Sequence, residues 1–152
     1  MQKKPKILFL STGNSNRSLM AEGFLRSLAG NSIDVASAGI EPDEINPLAV
    51  EVMKDAGIDI SKQEPKNVAE SLKEHFVYVI TVCDMARERC PIFPFTPYLL
   101  HWSLEDPAKE QGSTPEKKIA FARVRDDIRQ KVQVFFDEFN KRHPEVAKAA
   151  SV

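Results

Sequence analysis

A continuous apolar run near the start of the chain constrains the fold most strongly. Residues 7–10 contain no polar side chain and are followed by a Thr-Gly-Asn turn. This pattern is typical of a strand that is buried on both faces and feeds a loop at its end. Apolar residues then recur at helical spacing from Ser18 to Gly30 and Asn31, which favour a left-handed helix cap. The opening therefore predicts a strand, a loop and a helix, in that order.

The alternation of strands and helices continues along the chain. Three further segments with strand-like patterns are residues 33–38, 77–82 and 98–102, the last at a sheet edge. Three further helices are predicted over residues 47–56, over 67–73, and from a Thr114 cap with Pro115 in the first turn to about Arg142. A polar loop is predicted over residues 105–112. This alternation predicts an α/β fold with a parallel sheet, where ligands bind beyond the carboxyl ends of the strands.

Composition limits the classes of function. With 152 residues, of which 42% are hydrophobic, residues 1–152 are expected to form a single domain whose core needs no metal or disulfide. A net charge of −1 argues against binding to nucleic acid or a membrane surface. The apolar run behind the basic start is too short for a signal peptide or a membrane span, so a cytoplasmic protein is expected. The chain is also expected to be a monomer. Three histidines lack metal-ligand spacing, which predicts no metal: His75, His101 and His143.

The loop after the first predicted strand has three features that favour anion binding. Its residues tolerate positive φ angles, so its backbone amides can turn inward as a nest. The helix that follows directs its positive end at the same place, and Arg17 adds a planar fork suited to a tetrahedral oxyanion. The alternative is an ordinary turn in which Asn and Ser cap the helix and Arg17 forms a surface ion pair. The predicted oxyanion-binding residues are Thr12, Gly13, Asn14, Ser15, Asn16, Arg17 and Ser18.

The segment of residues 7–24 resembles the opening of the low-molecular-weight tyrosine phosphatase and arsenate reductase superfamily, which carries a Cys-x5-Arg-Ser loop. Ser11 stands where the family has its nucleophilic cysteine, Arg17 and Ser18 match, and Asn16 replaces a second cysteine often found there. The resemblance implies a three-layer α/β/α sandwich with a four-stranded parallel sheet. It continues in order through Ser37-Ala38-Gly39-Ile40, Asn46-Pro47, Gly57-Ile58-Asp59-Ile60-Ser61, Val82-Cys83, Cys90-Pro91, His101-Trp102 and Asp106-Pro107.

Two details of the resemblance favour the reductase branch. Ala108 follows Asp106-Pro107 where the phosphatases usually carry tyrosine, and the spacing of Cys83 and Cys90 is that of the reductases' shuttle pair. In an active member the loop thiolate would attack arsenate, held by Arg17 and the loop amides, and Asp106 would protonate the departing oxygen. Cys83 would then release arsenite, Cys90 would resolve the disulfide, and thioredoxin would reduce it, with no other cofactor.

The spacing of the two cysteines adds a mechanical requirement. If residues 83–90 are helical, their α-carbons lie roughly 10 Å apart, whereas a disulfide needs them within about 7 Å. The helix would therefore have to unwind when Cys83 and Cys90 form a bridge. The alternative is two unrelated cysteines, one at a strand end and one before a loop proline.

Serine at position 11 changes the expected outcome. A serine alkoxide forms far less readily than a thiolate, and serine cannot form a mixed disulfide. We therefore expect oxyanion binding without arsenate turnover. The replacement is either engineered or natural, and the retained Cys83, Cys90 and Asp106 favour the first. Two alternatives stay open: a low-molecular-weight tyrosine phosphatase, and a non-enzymatic oxyanion- or protein-binding module.

A further hypothesis concerns a possible cation position beside the loop. Glu22, Asn14 and Ser37 match positions that help to hold a potassium ion in some reductases. Lys66 stands where a ligand acid would be expected. We therefore predict that the Lys66 ammonium replaces the ion and pairs with Glu22 or Glu64.

Overall fold

The computed structural model describes residues 4–146, so that residues 1–3 and 147–152 of the predicted domain lie outside the described part. The sheet has four parallel strands in the order β2-β1-β3-β4. The strands are β1 (Lys6–Ser11), β2 (Asp34–Gly39), β3 (Tyr78–Thr81) and β4 (Tyr98–His101). The predicted α/β fold with a four-stranded parallel sheet is confirmed, and β4 lies at an edge, as its sequence predicts.

Within residues 4–146, the named helices are four α-helices and two short 3₁₀ helices. The α-helices are α1 (Arg17–Ala29), α2 (Pro47–Asp55), α3 (Asp84–Glu88) and α4 (Thr114–Arg142). The 3₁₀ helices are Val68–Ser71 and Pro107–Lys109. Within residues 4–146, no helix has the length and apolar character needed to cross a bilayer.

The alternation of side chains along β1 divides the core into two layers. Ile7 and Phe9 pack with buried residues of α1, α2 and α4 on one face of the sheet. Leu8 and Leu10 pack on the other face with residues such as Val68 of the first 3₁₀ helix. Because both faces are covered, residues 7–10 of β1 have no polar side chain between Lys6 at its start and Ser11 at its end. Ser11 is thus the first polar group at the carboxyl end of a central strand.

Two predicted boundaries are wrong. The helix predicted over residues 67–73 is a single 3₁₀ turn, Val68–Ser71, because only Val68 and Ser71 of that turn are buried and little apolar surface supports a longer helix. The cap of α4 is Ser113 and not Thr114: the Ser113 hydroxyl accepts from the Glu116 amide at 3.3 Å, and the Glu116 carboxylate accepts from the Ser113 amide at 3.4 Å. Reciprocal bonds of this kind form a capping box.

Candidate active site

The loop between β1 and α1 holds its carbonyl groups away from the predicted site. They accept hydrogen bonds from the chain that follows β2: Ser11 from Ile40 (3.1 Å), Thr12 from Glu41 (2.8 Å), Gly13 from Asp43 (2.8 Å) and Ser15 from Asn46 (2.9 Å). Within residues 4–146, no hydrogen bond uses the amides of Gly13, Ser15 or Asn16 as donors. With the carbonyls anchored outside, these amides and the start of the 13-residue helix α1 are arranged as an anion nest.

Asn14 fixes the shape of this loop from beneath. It is fully buried and has a positive φ of 49°, which asparagine tolerates better than most residues. Its Oδ1 accepts from the Lys66 amide at 2.8 Å, which fixes the orientation of the side-chain amide. Its Nδ2 therefore donates to the hydroxyls of Ser18 at 2.8 Å and Ser37 at 2.9 Å. One side chain thus ties the loop to α1, to β2 and to the segment after α2.

Two neighbours lie within hydrogen-bond distance of the hydroxyl oxygen of Ser11. The Asn14 amide donates to it at 3.0 Å, and the buried Ser18 hydroxyl lies 2.6 Å away. Because a hydroxyl can accept two hydrogen bonds, either hydroxyl of this pair can donate to the other. When Ser18 donates, the Ser11 hydrogen is free to donate to a bound oxyanion.

A buried carboxylate extends this network to the protein surface. Glu22 accepts from the Ser37 hydroxyl and forms an ion pair with Arg26, one turn later on α1. Arg26 also donates to the carbonyl of Val35 at 2.8 Å. The predicted pairing of Lys66 with Glu22 or Glu64 is wrong, because Lys66 is exposed and forms no ion pair within the described chain. The cation beside Glu22 is Arg26, and the i,i+4 spacing of the two residues was the signal in the sequence.

Arg17 is held by the segment that follows β4. Its Nη1 donates to the carbonyl of Leu104 at 3.0 Å, and its Nη2 lies 3.8 Å from a carboxylate oxygen of Asp106. The Nε atom is buried and has no partner within the described chain. Since buried donors normally have an acceptor, Nε is available for a bound oxyanion.

Asp106, the general acid that the resemblance implies, caps a short helix and faces Arg17. One of its carboxylate oxygens accepts from the Ala108 amide at 3.0 Å and caps the 3₁₀ helix Pro107–Lys109. The other oxygen faces Arg17. The cap fixes the carboxyl group beside the loop, where a general acid would be needed.

Cys83 lies directly beside the loop, whereas Cys90 lies beyond α3. The Sγ atom of Cys83 is 3.2 Å from the Thr12 hydroxyl, and Cys83 is buried just past the end of β3. Both cysteines are free thiols, and the Cys90 thiol donates to the Pro91 carbonyl at 3.4 Å. Burial raises the pKa of the Cys90 thiol. The segment between the cysteines is helical over Asp84–Glu88, which is shorter than the span 83–90 considered from the sequence.

A cleft of about 500 Å³ brings four of the eleven predicted site residues together. Its walls include Thr12, Arg17, Cys83 and Asp106, with Leu104 as an apolar contact. No aromatic side chain of residues 4–146 lines this cleft. In the same part of the chain, no cluster of three or more His, Cys, Asp or Glu side chains could hold a metal ion. The cleft therefore presents hydrogen-bond donors, a guanidinium and a thiol to a small polar ligand.

The fold and the loop have close counterparts among known proteins. Residues 6–145 match the family of low molecular weight phosphotyrosine protein phosphatases, and the chain belongs to that family. Within it, the chain is 44% identical over 132 residues to an arsenate reductase of Halalkalibacterium halodurans, covering 87% of this chain and 95% of the relative. It is 43% identical over 129 residues to the arsenate reductase of Bacillus subtilis, covering 85% and 93%. The homologues are therefore arsenate reductases, as the resemblance implied.

Solved structures agree with this placement. An arsenate reductase in a phosphate-binding state superposes with a TM-score of 0.76 at 29% identity, over 88% of this chain and 98% of the other. A tyrosine phosphatase of Erwinia amylovora superposes with a TM-score of 0.74 over 90% and 93%, but at 19% identity it shares the fold alone. The family and the fold predicted from the sequence are both confirmed.

Proposed function

We propose that this chain is an oxyanion-binding form of a thioredoxin-coupled arsenate reductase, with Ser11 in the place of the attacking cysteine. The observation that carries the proposal is the geometry of the loop, whose carbonyls are anchored outside while its amides and Arg17 Nε are free to bind. The two identified arsenate reductase relatives and the phosphate-binding state of a structural neighbour support arsenate or phosphate as the ligand.

The reduction itself needs a thiol at position 11. The thiolate would attack arsenic, with Asp106 protonating the oxygen that departs as water. Cys83 would then attack the residue-11 sulfur of the resulting sulfur–arsenic intermediate and form a disulfide with it. The S–As bond breaks, its electron pair stays on arsenic, and arsenite is released. Cys90 would displace the residue-11 thiol, and thioredoxin would reduce the Cys83–Cys90 disulfide with two electrons. The contact between Cys83 and Thr12 supports this relay, because it keeps the second thiol at the edge of the loop.

Ser11 stops this sequence before its first bond forms. Its hydroxyl remains protonated at neutral pH and provides no mixed disulfide for Cys83 to release. Oxyanion binding does not depend on a thiol at position 11. The neutral Ser11 hydroxyl can donate a hydrogen bond to an oxyanion oxygen, whereas a thiolate at the same position would repel the anion. We expect the chain to bind arsenate and phosphate but not to reduce arsenate.

The cleft favours a small inorganic oxyanion over a phosphorylated tyrosine. A bound tyrosine ring packs best against aromatic walls, whereas the apolar contacts of this cleft are Met85 and Leu104 and no aromatic side chain of residues 4–146 lines it. Ala108, next to the 3₁₀ turn, adds no ring to stack on a substrate. We further expect a cytoplasmic protein, since two free thiols that cycle through a disulfide need a reducing compartment.

Calorimetric titration of the chain with arsenate, phosphate and sulfate tests binding, and an NADPH-linked assay with thioredoxin and its reductase tests turnover. We expect saturable binding without turnover, and turnover in the Ser11→Cys protein. A Ser11→Cys protein that also carries Cys83→Ala is the matched control: it should lose arsenate reduction but keep any hydrolysis of an aryl phosphate. Arsenate turnover by the Ser11 chain at the rate of Ser11→Cys would overturn the proposal, as would an absence of oxyanion binding in both.

A further inference from the structure

His101 connects the two strands and the helix that surround Cys83. It is the last residue of β4, and its side chain is only 16% exposed. Its Nδ1 lies 2.7 Å from the hydroxyl of Thr81 at the end of β3, and its Nε2 lies 2.8 Å from the carboxylate of Asp84. Asp84 is the first residue of α3 and follows Cys83 directly. No local sequence pattern predicts this contact, because His101 and Asp84 are 17 positions apart.

The hydrogen-bond pattern holds the ring in one orientation. A carboxylate only accepts, so the Nε2–H of His101 donates to Asp84. In the neutral ring, Nδ1 accepts the hydrogen of Thr81. In the charged ring, Nδ1–H donates to Thr81, whose own hydrogen can turn to the Leu100 carbonyl at 3.4 Å. The pKa of the Asp84 carboxyl lies below its ordinary value, chiefly because of the bond from His101. Asp84 is therefore held in its charged form.

Helix α3 needs such an external contact to persist. It has five residues, and Ala86 is its only buried side chain. Isolated helices shorter than about 12–15 residues are marginal in water. At the other end of the segment, Arg89 forms an ion pair with Glu41 at 2.9 Å, but both side chains are largely exposed. The His101 contact is the less exposed of these two ties.

We propose that His101 is a positioning residue that clamps the first turn of α3 through Asp84 and so opposes formation of the Cys83–Cys90 disulfide. The proposal rests on the proposed thiol relay, in which these two cysteines must meet. Because α3 separates them, its first turn has to leave the helical position before the sulfurs can bond. Breaking the Asp84–His101 contact is part of that movement, so weakening the contact favours the disulfide.

A glutathione redox titration of the full chain measures this effect. Two protein thiols lose two electrons and two protons, and glutathione disulfide takes them up to give two glutathiones. Since Cys83 and Cys90 are the only cysteines, mass spectrometry after alkylation counts the disulfide without ambiguity. For Asp84→Asn and His101→Gln, we expect the equilibrium constant to shift toward the disulfide by about twofold to fivefold, the range for partly exposed ion pairs. The double variant should shift no further than the larger single effect.

Glu88→Gln is the matched control, because it removes a negative charge from the same helix and Glu88 has no side-chain hydrogen bond or ion pair within residues 4–146. We expect its equilibrium constant to equal that of the starting chain. Equal shifts in Glu88→Gln and Asp84→Asn, fully additive effects in the double variant, or no shift in either single variant would each overturn the clamp. A disulfide that never forms in the starting chain or in any variant would instead overturn the relay itself, and the clamp with it.

Discussion

Replacing Asn14 with alanine tests whether the network beneath the loop determines the shape of the site. The substitution removes the side-chain bonds to the Lys66 amide, the Ser18 hydroxyl and the Ser37 hydroxyl, which are 2.8, 2.8 and 2.9 Å long. It also places a residue with little tolerance for positive φ at a backbone angle of 49°. The backbone amide that donates to Ser11 remains.

The expected loss of stability follows from these contacts. Each lost bond that leaves a buried partner unsatisfied costs about 1–3 kcal/mol, and alanine in the left-handed region costs about 1–2 kcal/mol. Lys66 is exposed, so water can satisfy its amide, and the two hydroxyls can rotate in part. A net loss of about 3 kcal/mol results, which corresponds to a fall in Tm of roughly 6–12 °C for a chain of this size.

Urea unfolding followed by circular dichroism measures the stability, and calorimetric titration with phosphate measures the site. We expect Asn14→Ala to lower phosphate affinity at least about tenfold, because the nest loses its support. Asn46→Ala is the matched control: its side chain accepts only from the Leu48 amide at 2.9 Å, while its backbone amide still bonds to Ser15. That cap should cost about 1 kcal/mol and leave phosphate affinity unchanged. A loss under 1 kcal/mol in Asn14→Ala, or unchanged phosphate affinity, would refute the reasoning.

Three further predictions concern single side chains. Arg17→Lys keeps the charge but loses the planar fork, so phosphate affinity should fall at least about tenfold by calorimetry; an unchanged affinity would contradict the role of Nε. Burial raises the pKa of Cys90 above its ordinary value of 9.0, so alkylation by iodoacetamide, measured by mass spectrometry, should lag behind that of the unfolded chain at pH 8 and accelerate as the pH rises through the folded pKa. The stabilisation from the buried neutral Cys90 thiol is present below pH 9.0 and is lost as the pH rises through the folded pKa. Equal alkylation rates of Cys90 in the folded and unfolded chains at pH 8 would contradict the raised pKa. In Gly23→Ala, the new Cβ would lie 2.8 Å from Cγ2 of Ile60, so urea unfolding should show a loss of about 1–3 kcal/mol, and a more stable variant would count against this close packing.

The strands and the long helices were predictable because their signal is local. Residues 7–10 are apolar on both faces of the sheet, and the stripe along α4 repeats at helical spacing. The 3₁₀ turn Val68–Ser71 was mistaken for a helix because its propensity is helical, while the buried surface that decides its length is set by the rest of the fold. Local pattern thus predicts the element but not how far tertiary packing supports it.

The candidate site also contains features with a local sequence signal and features that depend on tertiary contacts. The loop and Arg17 could be identified from a contiguous segment, because the nest, the helix start and the guanidinium follow one another in the chain. The choice of Arg26 over Lys66 as the partner of Glu22 depends on side-chain directions along α1, and the i,i+4 rule would have favoured it. The contact of His101 with Asp84 joins β4 to α3 and has no local signature.

The surroundings of Ser11 suit a negative charge better than the hydroxyl that they hold. The Asn14 amide donates to the Ser11 oxygen, and the Ser18 hydroxyl lies within hydrogen-bond distance and can donate to it. A neutral hydroxyl gains modestly from two such bonds, whereas an anion at the same place would gain about twice as much from each. The Asn14 side chain is oriented by the Lys66 amide and donates to Ser18, which leaves the hydrogen of Ser18 able to turn toward an anion at position 11. These contacts would lower the pKa of a thiol at position 11 without any further change, and for this reason we expect Ser11→Cys alone to restore the nucleophile.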